Sequence, residues 1–565
     1  MAHRLAAQYP EANAHRGVRV LALRDQVVGG VRVALVVLMA AVGLVLLMAL
    51  ANAANLLLAR SVAQRREVAV RLALGAERTD LARQFLAEGM LLALLGGAAG
   101  LLLAFWTLPV LVASSPVEIP RLDQAGVGVV VAVFTLALSV ASGLIFGLLL
   151  AARAPRSDAH GLLRDAGKKT TMGRRGQLTL DGFVVTEIAL AFTLAIGAGL
   201  LLQSLRALGQ VNPGFEPRNV LTMKVLLPGA KSPEPRQAAF FQELLAAVGR
   251  APGVAAVAGT TTLPLEGSSI AMQFNAEGQP AAAGEVPSAA FDLVTPDYFQ
   301  VLRIPMARGR AFSGADRADS RRVAVISESM AARHWPGQDP IGKRVQVLFS
   351  DHAWNEIVGV VKDIRHDSLA AAPEPQIYLP FFQHPLPALR LVIKTTVPPG
   401  GVIHDVRRTI HALDPGLPLA GVVSLEQLRA ESLARHRFTS TLLGLFAMVG
   451  LLLAVIGVYG VMAYSVSGRT NEIGIRMALG AARGRLLRAT IARGLAITAA
   501  GLGLGLLLAL SLTRFLKTLL FEVGSTDLRS FAAVLLLFLA VGLLASLMPA
   551  RRAATVEPTN ALRYE

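Results

Sequence analysis

Nucleotide binding by a P-loop requires the pattern G-x-x-x-x-G-K-[ST], whose backbone and side chains hold the phosphates. The nearest stretch in this 565-residue chain is GLLRDAGKK, Gly161–Lys169, which has five residues between its glycines and a lysine where a hydroxyl belongs. GKR at Gly342 has the same fault at its last position. We therefore predict no cofactor site, and ATP must be bound by a separate partner subunit if it drives this protein.

The longest polar stretch, residues 206–436, lacks the spacing that catalysis requires. It has no H-E-x-x-H, and EGSS at Glu266–Ser269 does not match the G-x-S-x-G of a nucleophile elbow. No metal-ligand spacing occurs among five histidines of this stretch, His352, His366, His384, His404 and His411. We therefore predict no catalytic residues and no metal ligands, and we do not expect the chain to be an enzyme. We expect this stretch to bind a partner or to transmit force.

The elements around these residues are mostly membrane spans. The chain is 53% hydrophobic with a mean hydropathy of +0.53, which is too apolar for a soluble protein of this length. A helix that crosses a bilayer needs about 20 mostly apolar residues. Seven runs meet this requirement, at about 33–58, 90–113, 129–151, 183–202, 438–464, 495–516 and 531–548. The sequence thus predicts a polytopic α-helical membrane protein with seven transmembrane helices.

The positive charge indicates which side each loop occupies. Four segments beside the spans, 60–84, 153–180, 465–490 and 549–565, carry 21 Lys and Arg against 8 Asp and Glu, and so most of the net charge of +17. Basic short loops favour the cytoplasmic side. We therefore predict that these segments and the C-terminus are cytoplasmic, that residues 206–436 are extracytoplasmic, and that nucleic acid is not a partner. The chain has no cysteine, which excludes disulfides and thiolate chemistry.

Two of the basic loops are copies of each other. EVAVRLALGA at Glu67–Ala76, the first loop segment, matches EIGIRMALGA at Glu472–Ala481, the second loop segment, at an offset of 405 residues. Without a gap, 17 of the 39 positions from Glu67 to Phe105 are identical to their equivalents. Chance matches of leucine and alanine do not explain aligned arginines and glycines. The sequence therefore predicts an internal duplication of the membrane part.

The same register extends towards the N-terminus. Leu23 and Arg24 match Leu428 and Arg429, which lie where the extracytoplasmic stretch ends. Residues 1–32 contain no signal peptide. We therefore expect residues 1–32 to be the remnant tail of a first extracytoplasmic domain, and the chain to be truncated at its N-terminus.

Two interpretations of the loop segments remain open. Good helix-forming residues, an acidic first residue and a closing glycine predict a short helix in each. Such a helix either lies on anionic lipid or docks a cytoplasmic partner. The second interpretation is favoured because both copies keep the same arginine and glycine positions while neighbouring residues differ. The candidate docking residues are Glu67, Arg71, Gly75 and Arg78 in the first half, with Glu472, Arg476, Gly480 and Arg483 in the second.

Three polar residues lie inside predicted spans and are candidate intramembrane sites. Asn52 and Asn55 occupy the positions of Gly457 and Gly460 in the second copy, where small or polar residues favour helix–helix contact. Glu187 lies about a turn into the fourth span. We expect it to pair with the basic residues Arg174 or Arg175 rather than to carry protons, because no chain of ionisable residues crosses a span.

The extracytoplasmic stretch alternates strand-like and helix-like segments. VLTMKVLL at 220–227 and VAAVAGTT at 254–261 predict strands, and the amphipathic run between them predicts a helix. The same alternation recurs near 376–436. We predict an α+β domain of two strand–helix–strand units with a second subdomain inserted between them, and an ordered turn at Gly309–Ser327 before a buried strand.

These motifs resemble a known family. NEIGIRMALGA and RREVAVRLALGA resemble the cytoplasmic coupling motif of FtsX-like permeases of MacB-type ABC transporters. The ending MPARRAATVEPTNALRYE resembles their C-terminal signature. ANAANLLLARSVAQRREVAVRLALGA resembles the first half of a duplicated subfamily whose genes often lack an adjacent ATPase.

The resemblance implies a division of the chain and a function. The function would be that of a permease subunit that couples ATP hydrolysis by a separate ATPase to motion of an extracytoplasmic domain of MacB periplasmic-core type, for efflux or release of envelope substrates. The implied location is the bacterial inner membrane, with the bilayer and a periplasmic or outer-membrane protein as further partners. The alternative is a signalling protein that senses envelope peptides or controls cell-wall hydrolases.

The resemblance also implies a division of the chain into seven parts. These parts are the remnant tail 1–32, an FtsX-like domain 33–152 with coupling loop 60–84, a basic linker 153–182, a transmembrane helix 183–205, the extracytoplasmic domain 206–436, a second FtsX-like domain 437–549 with coupling loop 465–490, and a cytoplasmic tail 550–565.

Overall fold

A computed structural model describes residues 22–63, 78–113, 126–152, 174–227, 234–267, 269–279, 287–349, 353–467 and 482–554. These residues fall into two compact units. One is continuous in sequence, from Leu208 to Arg435, and the other contains the remaining described residues on both sides of it.

The second unit is helical and holds seven apolar helices among its described residues. They are α1 (Leu23–Ala63), α2 (Arg78–Ala113), α3 (Val129–Ala152), α4 (Arg174–Gln210), α9 (Leu425–Ser467), α10 (Arg483–Leu512) and α11 (Leu528–Ala554). Six are long and apolar enough to cross a membrane, and α3 has a shorter apolar stretch at Val129–Ile145. The described part of the chain is thus a polytopic helical membrane protein, as the hydropathy predicted.

Helix α4 is the most enclosed of these helices. Ile188, Phe192, Ile196 and Leu200 on α4 are fully buried. The Phe192 ring meets Phe538 of α11 edge to face, with ring centroids 5.7 Å apart. The core of the helical unit is therefore built around α4.

The two copies pack their second and third spans alike. Gly89 of α2 lies against the backbone of Gly143 and Gly147 on α3, close enough that an added Cβ would lie 3.1 Å from the Gly143 carbonyl oxygen. Its equivalent Gly494 on α10 lies against Ser546 of α11, where a Cβ would overlap the hydroxyl. Glycine at this position lets the two helices approach closely in both halves.

The extracytoplasmic unit is an α+β domain built on one 11-stranded sheet. Its main helices are α5 (Glu234–Gly249), α6 (Tyr298–Val301), α7 (Glu328–His334) and α8 (Ile403–Leu413). Its strands are β1 (Val220–Leu226), β2 (Val254–Thr260), β3 (Ile270–Ala276), β4 (Ser288–Val294), β5 (Met306–Gly309), β6 (Val323–Ser327), β7 (Arg344–Val347), β8 (Trp354–Val361), β9 (Gln376–Pro380), β10 (Ala388–Thr395) and β11 (Leu419–Ser424).

The sheet has two parts that follow from the chain order. The units β1–α5–β2 and β10–α8–β11 interlock in the strand order β11-β1-β10-β2, and their helices pack on each other. The inserted strands form a ring in the order β4-β3-β7-β8-β6-β9, which the parallel pairing of β9 with β4 closes. This is the arrangement expected from the sequence, two strand–helix–strand units with an inserted subdomain.

The segment between β5 and β6 is ordered around one carboxylate. Asp316 accepts two hydrogen bonds from the Arg310 guanidinium, at 2.8 and 2.9 Å, and one from the Ser313 amide at 2.7 Å. Burial raises the pKa of Asp316, but these hydrogen bonds outweigh it and hold the pKa below its usual value. All five residues of β6 are buried. The predicted turn before a buried strand is therefore present.

Candidate functional site

Most of the candidate docking residues lie outside the described residues. This applies to Glu67, Arg71, Gly75, Glu472, Arg476 and Gly480. Arg78 and Arg483 are described, and each is the first residue of the second span in its half, α2 and α10 respectively. The two halves therefore restart their helices in the register that the repeat predicted.

A polar network joins the helices that flank the second loop segment to α4. Arg493 of α10 donates to Asp181 of α4 at 3.0 and 3.2 Å, and to the Ser465 hydroxyl of α9 at 3.1 Å. Gln177 of α4 also donates to Ser465, at 3.4 Å. The Arg493 and Asp181 side chains are about three-quarters buried, so water screens this pair less than a surface pair. We call these four residues the α4–α10 network.

Sequence reasoning missed this network. Arg493 lies two residues before the predicted span that starts at 495, and so it was counted with neither the loop nor the span. Its repeat equivalent, Glu88, carries the opposite charge and accepts a hydrogen bond from Gln84 on its own helix. A charged residue whose sign differs between two otherwise matching copies is the signal that could have identified it.

Glu187 of α4 lies between two other helices of the helical unit, α1 and α9. It is fully buried, and its Oε1 accepts a hydrogen bond of 2.6 Å from Asn52 of α1. The same Asn52 amide donates to the Leu453 carbonyl of α9 at 2.9 Å. Gly457 of the same helix α9 lies against the other oxygen, and a Cβ added there would overlap Glu187 Oε2. The site thus depends on a polar residue from the first half and a glycine from the second.

The expected pairing of Glu187 with Arg174 or Arg175 is wrong. Helix α4 begins at Arg174, so Glu187 is 13 residues further along it. At 1.5 Å per residue this is about 20 Å, which is more than a side chain spans. Glu187 therefore satisfies one of its oxygens with an amide from another helix.

Asn55 lies one turn along α1 from Asn52 and is also buried. Its Nδ2 and Oδ1 have no hydrogen-bond partner within the described part of the chain. Asn52 and Asn55 share a cavity of about 30 Å³ with Gly457, Gly460 and Tyr464. The two asparagines and the two glycines that the repeat aligned thus meet in one place. A cavity of this size accommodates about one water molecule.

The extracytoplasmic unit has a buried polar cluster of its own. Asp292 of β4 accepts hydrogen bonds from the Thr260 hydroxyl at 2.7 Å, from the Thr261 and Thr262 amides at 3.1 Å, and from the Thr261 hydroxyl. The Thr262 hydroxyl contacts His366 Nε2 at 3.2 Å. Burial raises the pKa of Asp292, although the His366 charge and these hydrogen bonds oppose it. Both carboxylate oxygens are occupied, so the cluster fixes the loop after β2 rather than offering a base.

Two family models match the chain and cover most of it between them. The model described as MacB-like periplasmic core domain matches residues 182–412. The model described as FtsX-like permease C-terminal matches twice, at residues 39–156 and 444–558. The double match covers both halves of the duplication, with the periplasmic core domain between them.

Curated proteins with similar sequences include exporters from two bacterial genera. A macrolide export ATP-binding/permease protein MacB of Azoarcus sp. is 28% identical over 69% of this chain and 57% of its own length. A pyoverdine export ATP-binding/permease protein PvdT of Pseudomonas syringae pv. tomato is 25% identical over the same shares. The chain thus spans little more than half the length of these two relatives.

A solved structure is similar to part of the chain. The crystal structure of the periplasmic region of MacB from Actinobacillus actinomycetemcomitans aligns with 38% of this chain and 93% of its own, at 15% identity and a TM-score of 0.27.

Proposed function

Because this chain belongs to the FtsX-like permeases of the MacB type, we propose that it is the permease subunit of an ABC-type exporter. The resemblance stated from the loop segments is thereby confirmed, and so is the fold class, a polytopic helical membrane protein with an α+β domain of MacB periplasmic-core type. The chain is an inner-membrane protein with a periplasmic domain. The export activity, the substrate and the partner are the proposal.

The proposal assigns the energy source to a separate polypeptide. The sequence has no P-loop, and both relatives above are ATP-binding/permease proteins by name. We propose that an ABC ATPase docks on the two loop segments from the cytoplasm. The clusters of Lys and Arg beside the spans and at the C-terminus support that orientation. The chain would then bind no nucleotide and catalyse no reaction.

The observation that carries the proposal is the α4–α10 network. In the sequence, the second loop segment lies between α9 and α10, and the periplasmic domain lies between α4 and α9. Arg493 connects all three helices through Asp181 and Ser465. A displacement of the second loop segment would therefore move α4 together with α9, the two helices through which the chain enters and leaves the periplasmic domain.

The alternative, a signalling protein that exports nothing, is not favoured by the similarity to exporters. The substrate would meet the periplasmic domain outside the membrane, so that motion of this domain can drive release without a continuous pore through the helices. The names of the relatives support small secreted molecules as a substrate class, and they support export as the direction of transport.

The decisive test is reconstitution of ATP-driven release. The chain is placed in vesicles with a candidate ABC ATPase, and ATP-dependent release of a substrate is measured. The variant Arg71→Glu with Arg476→Glu should lose both ATPase capture and release, because two charges on the docking face are reversed. The matched control is Arg153→Glu with Arg156→Glu, which changes the net charge equally in the basic linker.

The control should retain capture and release. If the loop-segment variant recovers the ATPase as well as the unmodified chain does, the loop segments are lipid-surface helices instead. If ATPase capture is normal but no substrate is released, the signalling alternative is correct.

A further inference from the structure

Strand β5 is an edge strand of the periplasmic sheet. On one side it pairs with β8, from Met306 opposite Val361 to Gly309 opposite Gly359. On its other side, no strand of the described residues pairs with it. Three of its four residues are exposed. An exposed edge presents backbone N–H and C=O groups with which another extended chain can pair.

A cleft of about 370 Å³ is lined by both this edge strand and helix α7. Ala307 and Arg308 of β5 line one part of it. Ala332 of α7, Trp335 directly after this helix, and Val360 of β8 line the rest. Its volume lies in the range of sites that enclose small ligands. A helix beside the strand leaves room for one added strand rather than for a second sheet.

Trp335 brings a polar group without a partner to this cleft. The residue is only 3% exposed, and its Nε1–H donates to no acceptor within the described part of the chain. A buried indole N–H usually has a hydrogen-bond partner, because leaving it unpaired costs free energy. A carbonyl oxygen of a ligand bound in the cleft would supply the missing acceptor.

The charges that line the cleft favour a ligand with a basic side chain. Two carboxylates line it, those of Glu328 and Asp339, against one guanidinium, that of Arg308. Glu328 is paired with Lys362 at 2.9 Å. Asp339 lies 3.9 Å from Arg308, and its side chain is 67% exposed. An exposed pair at this distance contributes little, so Asp339 can contact a basic group of the ligand.

We propose that this cleft binds an extended peptide segment of a partner protein, added as a strand along the edge of β5. The four residues of β5 match about four peptide residues, roughly 13 Å of extended chain. An apolar side chain of the peptide would contact Ala331 and Ala332, a basic one would contact Asp339, and a peptide carbonyl would accept from Trp335.

The form of the edge favours a short segment over the sheet of a second copy. The pairing of β5 with β8 is interrupted by a bulge between Met306 and Arg308. A short, bulged edge that carries an exposed charge opposes pairing between whole sheets. A single peptide held between β5 and α7 needs only the few backbone groups that this edge offers.

The position of Trp335 provides a direct readout of peptide binding. The chain has three tryptophans, and the other two, Trp106 and Trp354, are 70% and 40% exposed. Replacement of both by phenylalanine leaves Trp335 as the only tryptophan. The probe is a library of random octapeptides displayed on phage, selected against this full chain in lipid nanodiscs. Enriched peptides should combine apolar and basic residues, and their synthetic forms should shift the Trp335 emission.

N-methylation of each backbone amide of a selected peptide tests strand addition itself. Successive N–H groups of a strand point to opposite sides. Methyl groups at every second amide should therefore weaken binding about tenfold, which corresponds to the loss of one hydrogen bond. Methyl groups at the amides between them should have little effect. A ligand held by its side chains alone would not show this alternation.

Variants of the chain test the place of binding. Ala332→Arg should abolish binding, because its long side chain would fill the cleft from an exposed position on α7. The matched control is Ala246→Arg, exposed on α5 and outside the cleft, which should bind normally. Asp339→Asn should weaken a lysine-containing peptide about threefold, as expected for an exposed charge pair. Thermal unfolding of each variant shows whether the fold is intact.

Three outcomes would overturn the proposal. One is a selection that yields no peptide whose binding Ala332→Arg abolishes, and another is N-methylation without an alternating effect. The third is a dimer of the unmodified chain that Ala332→Arg converts to a monomer, which would assign the cleft to a second copy. None of these measurements depends on an ATPase or on export, so the result is separate from the test of the proposed function.

Discussion

At the scale of single residues, the Glu187 carboxyl shows how a buried charge-bearing group is accommodated within apolar helices. One oxygen accepts a hydrogen bond from Asn52, and the other lies against the backbone of Gly457. Burial of such a group without a partner is costly, and removal of its donor leaves the full desolvation penalty. The close packing against Gly457 therefore helps to keep the Glu187 carboxyl beside its donor, Asn52.

Alanine at Gly457 should destabilise the chain, because its Cβ would overlap Glu187 Oε2 and force the carboxyl away from Asn52. We expect a loss of about 1–3 kcal/mol in the free energy of unfolding, which is typical of overpacking. The matched control is Gly460→Ala one turn along the same helix, where a Cβ meets nothing within 4 Å. Thermal unfolding in detergent compares the two. Equal melting temperatures would show that the Glu187 carboxyl is free to move.

At the scale of elements, α4 connects the two halves of the helical unit. It packs its apolar face on α10 and α11, accepts a hydrogen bond from α1, and forms an ion pair with Arg493 of α10. Each contact places a different helix in a fixed register along α4. A shift of α10 along its axis must then either move α4 with it or break the Arg493–Asp181 pair.

Exchange of the charges of this pair tests whether α4 and α10 move together. Asp181→Arg or Arg493→Asp alone places like charges together, and we expect either variant to reduce ATP-dependent release about tenfold, a typical coupling between sites. The double exchange restores opposite charges and should recover most of the activity. Arg514→Asp, exposed in the helical turn that follows α10, is the control. Full release by both single variants would remove the pair from the coupling route.

These elements also show which features a sequence can reveal. The register of the repeat correctly placed Arg78 and Arg483 as equivalent residues, because both halves keep the same spacing from loop to helix. It could not reveal the partner of Glu187, since Asn52 is 135 residues away and the pair depends on how three helices cross. It also could not show that Gly501 of α10 packs against Ile188 of α4, whereas a Cβ added at its equivalent Gly96 meets nothing within 4 Å. Identical motifs predict equivalent helix surfaces in the two halves, but the structure is needed to show which of these surfaces is packed against another helix.

At the scale of the whole molecule, the chain is a duplicated membrane part with a periplasmic domain inserted in its sequence before the second copy. The two FtsX-like matches flank the periplasmic core match. If each of the seven helices crosses the membrane once, the four basic segments all lie on the same side of it. One orientation therefore satisfies the charge rule for all four basic segments at once.

Single cysteines in this cysteine-free chain should report that orientation directly. Ala315→Cys, exposed in the periplasmic domain, should react with a membrane-impermeant thiol reagent in intact spheroplasts. Arg552→Cys, near the end of α11, should react only after permeabilisation, because we propose a cytoplasmic C-terminus. Labelling of Arg552→Cys in intact spheroplasts would contradict the proposed orientation.

The pairing of β1 with β11 has a mechanical consequence for the periplasmic domain. These strands are antiparallel neighbours, with Leu221 opposite Ser424 and Val225 opposite Leu419, so the start of β1 and the end of β11 lie at the same end of the ladder. Pulling these two ends apart would break the hydrogen bonds between β1 and β11 one at a time. Moving both ends in the same direction leaves the ladder unstrained. The domain is therefore suited to be carried as one piece, and it would unravel from this corner if its two attachments were drawn apart.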